Sequence, residues 1–117
     1  MNLRHLTVGP IVGETTPNRT RIWGRGDTHV IEDQPRRCFG AIRCRENGRQ
    51  NWKPHRIFKM NPNFDQTGIA ILDGLKPETR YEYQVGYFFS DAELEDADFE
   101  ESDWSSASTG TFLTASN

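Results

Sequence analysis

Leu75-Lys-Pro-Glu-Thr-Arg-Tyr-Glu-Tyr-Gln-Val-Gly-Tyr-Phe-Phe89 is the stretch that decides the fold. From Tyr81 onward the odd positions are Tyr81, Tyr83, Val85, Tyr87 and Phe89, and the even ones are Arg80, Glu82, Gln84, Gly86 and Phe88. Aromatic and β-branched residues on one side and mostly polar ones on the other describe a strand with one buried face. The lead-in Leu75, Pro77 and Thr79 is a short corner that ends two residues before a tyrosine. A tyrosine so placed can sink its ring between two sheets and return its hydroxyl to the backbone of the corner, a tyrosine corner. These tyrosines speak to fold and not to chemistry.

At 117 residues the chain suits one domain: a sandwich of about 100 residues plus one inserted loop. Seven Phe, three Trp and three Tyr supply enough large side chains for a modest core despite a polar average. The formal charge of −3 is unevenly spread, because Asp91 to Asp103 holds eight acids and no base. The remaining residues carry nine acids against fourteen bases, so a basic body bears one acidic loop, taken here as an insertion over 91–105. Cys38 and Cys44 share one strand-like run, on the same face but roughly 20 Å apart at strand rise, so they read as free buried thiols. No apolar run is long enough to span a membrane and no signal peptide is visible, which favours a cytoplasmic setting unless a leader has been removed.

Outward from the opening stretch, seven strands are expected. His5 to Val12 forms a bent first strand broken at Gly9-Pro10, and Thr20 to Arg25 forms the second, with Thr28 to Pro35 as loop. Arg37 to Arg45 is the third; its buried side is either that of Cys38, Ile42 and Cys44 or that of Phe39, Ala41 and Arg43. Asn47-Gly48 predicts a type I′ turn and a fourth strand doubling back within Gln50 to Met60, at an edge because of Pro54. Thr67 to Asp73, the Tyr81 strand and Thr109 to Ala115 complete an antiparallel Greek-key sandwich with no helical period and no internal repeat.

Leu75-x-Pro77-x-Thr79-x-Tyr81-x-Tyr83-x-Val85, with Trp23 in the second strand, resembles the fibronectin type III family over nearly the whole chain, an immunoglobulin-like, all-β fold. That family usually has an apolar residue two before its strand-two tryptophan; here Arg21 stands there. Either Trp23 points inward and Arg21 snorkels, or Ile22 points inward and Trp23 outward. A narrower likeness comes from Val8-Gly-Pro-Ile-Val-Gly-Glu-Thr-Thr-Pro17 with Arg21-Ile-Trp-Gly-Arg25, which is similar to the amino-terminal sandwich domain of PhoD-like alkaline phosphatases, a group of metallophosphoesterases. The resemblance implies a parent enzyme that hydrolyses phosphate esters at a metal centre in a catalytic domain after residue 117, with Gly110-Thr-Phe-Leu-Thr114 leading into it. It also leaves export open. The family's ligand signatures, an Asp-x-His, a Gly-Asp-x-x-Asp and an Asn-His pair, have no match in this chain, and His5, His29 and His55 are scattered. No catalytic, cofactor-binding or metal residue is therefore expected within these 117 residues; divalent metals belong only to the implied catalytic domain.

Interaction residues are expected in two places. Ile69-Ala70-Ile71-Leu72 is apolar four times in a row where a half-buried strand should alternate. If Ala70 and Leu72 face the core, Ile69 and Ile71 face outward, and pairing with the second strand sets Trp23 beside them as an exposed apolar patch for the catalytic domain or a partner. The alternative is an irregular sandwich that buries both pairs in part. In the acidic segment Leu94, Phe99 and Trp104 could anchor the loop to something, while its acids suit calcium, docking on a basic surface, repelling anions at the rim of a phosphate-handling neighbour, or plain solvation. A calcium loop's glycine and spacing are missing, and solvation is favoured. Arg25-Gly26-Asp27 and the sequon Asn18-Arg19-Thr20 are short matches that arise by chance, and the scattered bases do not make a nucleic-acid surface. The competing function is a stand-alone or tandem module that binds protein or carbohydrate.

Overall fold

The structure, a computed structural model, describes residues 3–28, 30–31, 34–35, 37–90 and 98–117. His29 and the part of the acidic segment from Asp91 to Ala97, Leu94 included, lie outside the described residues. The strands are β1 (Val8–Thr15), β2 (Thr20–Arg25), β3 (Val30–Ile31), β4 (Gln34–Pro35), β5 (Arg37–Glu46), β6 (Arg56–Lys59), β7 (Thr67–Leu72), β8 (Arg80–Ser90) and β9 (Ser108–Leu113). Seven of them form two antiparallel sheets, ordered β1-β2-β7 and β6-β5-β8-β9; β3 and β4 pair only with each other. Strands that follow one another repeatedly change sheets, from β2 to β5, β6 to β7 and β7 to β8, so this is the Greek-key sandwich of fibronectin type III type.

The opening stretch behaves as its pattern demands. Tyr81, Tyr83, Val85, Tyr87 and Phe89 all enter the core between the sheets. The Tyr81 hydroxyl accepts the backbone N–H of Lys76 at 3.0 Å and its ring stacks on Phe112, with centroids 5.4 Å apart. The corner is locked from the other side by Thr114, whose hydroxyl donates to the carbonyl of Lys76 at 2.6 Å and accepts the N–H of Thr79 at 2.8 Å. Leu75 completes the corner as a buried core residue.

The third expected strand was open as to its buried side, and both sides are buried. Cys38, Ile42 and Cys44 enter the core between the sheets, while Phe39 and Ala41 join Leu3, Phe88, Trp104 and Ala107 in a second cluster on the outer side of the four-stranded sheet. The polar side expected for β8 is for the same reason apolar at its far end, at Phe88. Strands in the middle of a sheet with cover on both faces lose the alternation that a half-exposed strand keeps. Gly40 fits this crowding: a Cβ there would lie 2.1 Å from the ring of Phe58 on the neighbouring β6.

Several local expectations fail. Asn47-Gly48 does not form a type I′ turn. Arg49 N–H bonds Glu46 O at 3.0 Å, but only Gly48 takes positive φ (86°), and residues 50–55 lead on to β6 without strand pairing. Pro54 thus precedes the edge strand and does not interrupt it. The first strand starts at Val8, not His5, and carries Gly9-Pro10 inside it at a register shift, where a bulge absorbs the missing donor. Residues before it cross to the other sheet, where Arg4 bridges Tyr87. The expected loop from Thr28 to Pro35 contains the β3–β4 ribbon, and β9 ends at Leu113; beyond it the amides of Thr114 and Ala115 bond Thr79 and Thr16 carbonyls in the neighbouring corners.

Candidate functional site

Ile22 is 1% exposed, and its neighbour Trp23 is half-buried on the opposite side of β2. Of the two readings left open at Arg21, the register with Ile22 inward and Trp23 outward is the one adopted. The pairing then builds a row across the three-stranded sheet, because Ile11 of β1 lies opposite Trp23 and Trp23 lies opposite Ile69 of β7. Ile71 stands opposite Arg21 in the next row, and Val8 opposite Arg25 in the row on the other side. Ile11 is 53% exposed, Ile69 54% and Ile71 41%, while Ala70 and Leu72 between them face the core. The four-residue apolar run is the product of one core-facing pair and one solvent-facing pair. Val8 and Ile11 belong to the same surface, and the signal for them was cross-strand register, which the sequence of β1 does not contain by itself.

Charges frame this patch. Arg25 grips Asp65 with two hydrogen bonds, of 2.9 and 3.0 Å, and this contact holds the Asp65 carboxyl below the usual carboxylate range. Arg56 pairs with Asp73 and donates to the carbonyl of Ile71 at 3.1 Å; its guanidinium likewise lowers the Asp73 carboxyl. Arg21 is exposed and takes part in none of the ion pairs formed among the described residues. The Arg25-Gly26-Asp27 tripeptide is built into this frame, with Arg25 on Asp65 and the Gly26 amide on Gln66 O at 2.9 Å, so it is not presented as a free loop.

Phe99 and Trp104, the other two expected interaction residues, do something different. Trp104 is 3% exposed and Phe99 packs beside it against Phe88, with centroids 5.6 and 5.4 Å away. They anchor their segment to the outer face of this domain's own four-stranded sheet, so Trp104 is not available to an outside partner. The 98–105 part of the acidic insertion is ordered by a short 3₁₀ turn over Glu101–Trp104, with the Glu100 amide capped by Asp103 at 2.8 Å. Asp98, Glu100 and Glu101 are solvent-exposed, as expected of a solvated loop, whereas Asp103 and Trp104 are buried.

Arg43 ties the cover down. Its guanidinium lies 4.5 Å from the Trp104 ring centroid and 4.3 Å from that of Trp52, donates to both Glu101 oxygens at 2.9 and 2.7 Å, and reaches Gln84 Oε1 at 2.7 Å. Arg45, two residues on, stacks on Trp52 at 4.0 Å and pairs with Glu82. Hydrogen bonding to Arg43 lowers the Glu101 carboxyl. This ladder of rings and guanidiniums was missed in the sequence; the available hint was two arginines two residues apart on one strand face with a tryptophan after the turn.

Reactive chemistry does not converge anywhere in the described residues. Cys38 and Cys44 are free and buried, and burial pushes both thiols above their ordinary range. His5 is exposed near the start, whereas His55 lies against the rings of Phe99 and Trp104. No three His, Cys, Asp or Glu side chains among the described residues gather to hold a metal ion. No helix among them is long and apolar enough to cross a membrane.

No model of a known protein family and no curated protein matches this sequence. Solved structures do match. The sensor domain of the anti-sigma factor RsgI4 from Pseudobacteroides cellulosolvens is 19% identical, with 95% of this chain and 100% of that chain covered and a TM-score of 0.54. A computationally redesigned β-sandwich protein is 13% identical, with 97% of each chain covered and a TM-score of 0.55. At such identities the likeness is one of fold.

Proposed function

We propose that this chain is a non-catalytic β-sandwich module that docks through the outer face of its three-stranded sheet, and that its parent is a PhoD-like, metal-dependent phosphate ester hydrolase whose catalytic domain it packs against or shields. The row Ile11–Trp23–Ile69, extended by Ile71 and Val8, carries the docking half of this reading. A contiguous apolar surface of this kind on an otherwise polar domain is what interaction faces look like. The Val8-to-Pro17 and Arg21-to-Arg25 segments support the choice of parent, and divalent metals would be held there and not in this module. A stand-alone or tandem module that binds protein or carbohydrate is the competing function; the same fold is used by the sensor domain of an anti-sigma factor.

The coding sequence that follows Asn117 tests the parent directly. A metallophosphoesterase domain there supports it, and a further sandwich repeat or a stop codon sinks it. Hydrolysis of a chromogenic phosphate ester by the purified 117-residue chain would overturn the non-catalytic reading.

A further inference from the structure

We infer that the outer face of the three-stranded sheet receives a tethered protein surface that is apolar at its centre and presents a carboxylate to Arg21. This inference rests on the docking reading above and specifies its partner. Two observations carry it.

The first is charge. Of the guanidiniums that border the patch, Arg25 is closed by Asp65 and Arg56 by Asp73. Arg21 lies on the patch itself, two residues from Trp23 and directly opposite Ile71, and no acid among the described residues closes it. The nearby surface of β1 gives it nothing: Gly13 sits against Arg21, and Glu14, the acid on that strand, forms no ion pair with it. A partner that covers Ile11, Trp23, Ile69 and Ile71 must remove the Arg21 guanidinium from water in part. An unpaired charge resists that, so a surface that fits this face has to supply the opposite charge.

The second is area. β2 is six residues long, about 20 Å at strand rise, and three strands at their usual spacing are about 14 Å wide, so the face projects about 300 Å². A stable interface between free partners buries roughly 800 Å² on each side. A second copy docked on this face alone would therefore be held weakly. A domain joined to this one by a short linker works at an effective concentration in the millimolar range, and a small patch then suffices.

Hydroxyl-radical footprinting of the full encoded chain beside the isolated 117-residue domain tests this. Trp23, Ile69 and Ile71 should label readily in the isolated domain and be protected in the full chain. Arg21→Glu in the full chain should return their labelling to the level of the isolated domain, while Arg21→Lys keeps the protection. Equal labelling of wild-type full chain and isolated domain overturns the docking reading, and this inference with it. Protection that survives Arg21→Glu overturns the carboxylate alone and leaves docking standing. A reading frame that ends at Asn117, or an isolated domain that sediments as a dimer and reverts to monomer on Ile69→Ser, overturns the tethered partner. Circular dichroism on each variant separates loss of docking from loss of fold.

Discussion

On the outer side of the four-stranded sheet Trp104, Phe99 and Leu3 lie over Phe39, Ala41 and Phe88, whereas on the outer side of the three-stranded sheet Ile11, Trp23, Ile69 and Ile71 meet solvent. Both faces carry aromatic and β-branched side chains, and both hold arginines. On the covered face Arg43 is fixed between two indole rings and by Glu101, with Gln84 as a further partner. On the bare face no described residue builds such a cage around Arg21. The difference lies in where the chain has residues to spare: the insertion between β8 and β9 folds back over its own sheet, and no described segment does so over β1, β2 and β7. A face that is finished by its own chain contributes to stability, and one left open is free to contribute to binding.

The contrast is broken most severely at Trp104. Trp104→Ala should destabilise the domain by about 3–5 kcal/mol in urea unfolding, as deletion of a large buried ring does. An effect below about 1 kcal/mol would mean that the cover is loosely attached. Arg43→Met comes next, with a loss of about 1–2 kcal/mol from two ring contacts and the Gln84 bond. Its double mutant with Trp104→Ala should fall short of the sum, because the two residues share one contact.

Acid should act on the covered face through the same arginine. The Glu101 carboxyl is lowered in the folded domain, so its contribution is fully present above the ordinary glutamate value of about 4.3 and is lost as pH falls through the lower folded value. Denaturant unfolding at pH 6 and pH 3 should therefore show a smaller acid-side loss in Arg43→Met than in the wild type. An equal loss in both would assign the acid sensitivity to Asp65 and Asp73, which are lowered by Arg25 and Arg56 around the bare face. The smallest effect is expected on that bare face itself: Ile69→Ser should change stability by no more than about 0.5 kcal/mol. A loss of several kcal/mol there would show that the face is part of the core.

Much of the sandwich was legible because its signals are local. The corner from Leu75 to Tyr81 needs only a turn, a proline and a tyrosine at fixed spacing, and the resulting hydrogen bond to Lys76 is present. For Ile69 and Ile71 a strand's period of two offered an outward reading beside a partly buried one, and the pairing of β7 with β2 and the resulting exposure select the outward one. At Asn47-Gly48 the chain turns and β6 doubles back on β5 as expected, but Asn47 does not take the positive φ of a type I′ turn and the strands do not pair directly from it. The Lys53 amide bonds the carbonyl of Cys44, and β6 pairs with β5 only from Arg56. Trp104 failed because its amino acid type fits an interface and a core equally well, and only the position of the four-stranded sheet beneath it separates the two.

The sequence by itself determined the strand periodicity, the tyrosine corner and the separation of acidic insertion from basic body, since each depends on residues a few positions apart. The tertiary structure alone decided which outer face is finished. That outcome depends on register between strands far apart in the chain, such as Ile11 on Trp23 on Ile69, and on contacts such as Arg43 with Trp104 and Glu101. Burial is a property of what arrives on the other side of a side chain, and no local pattern of hydrophobicity contains it.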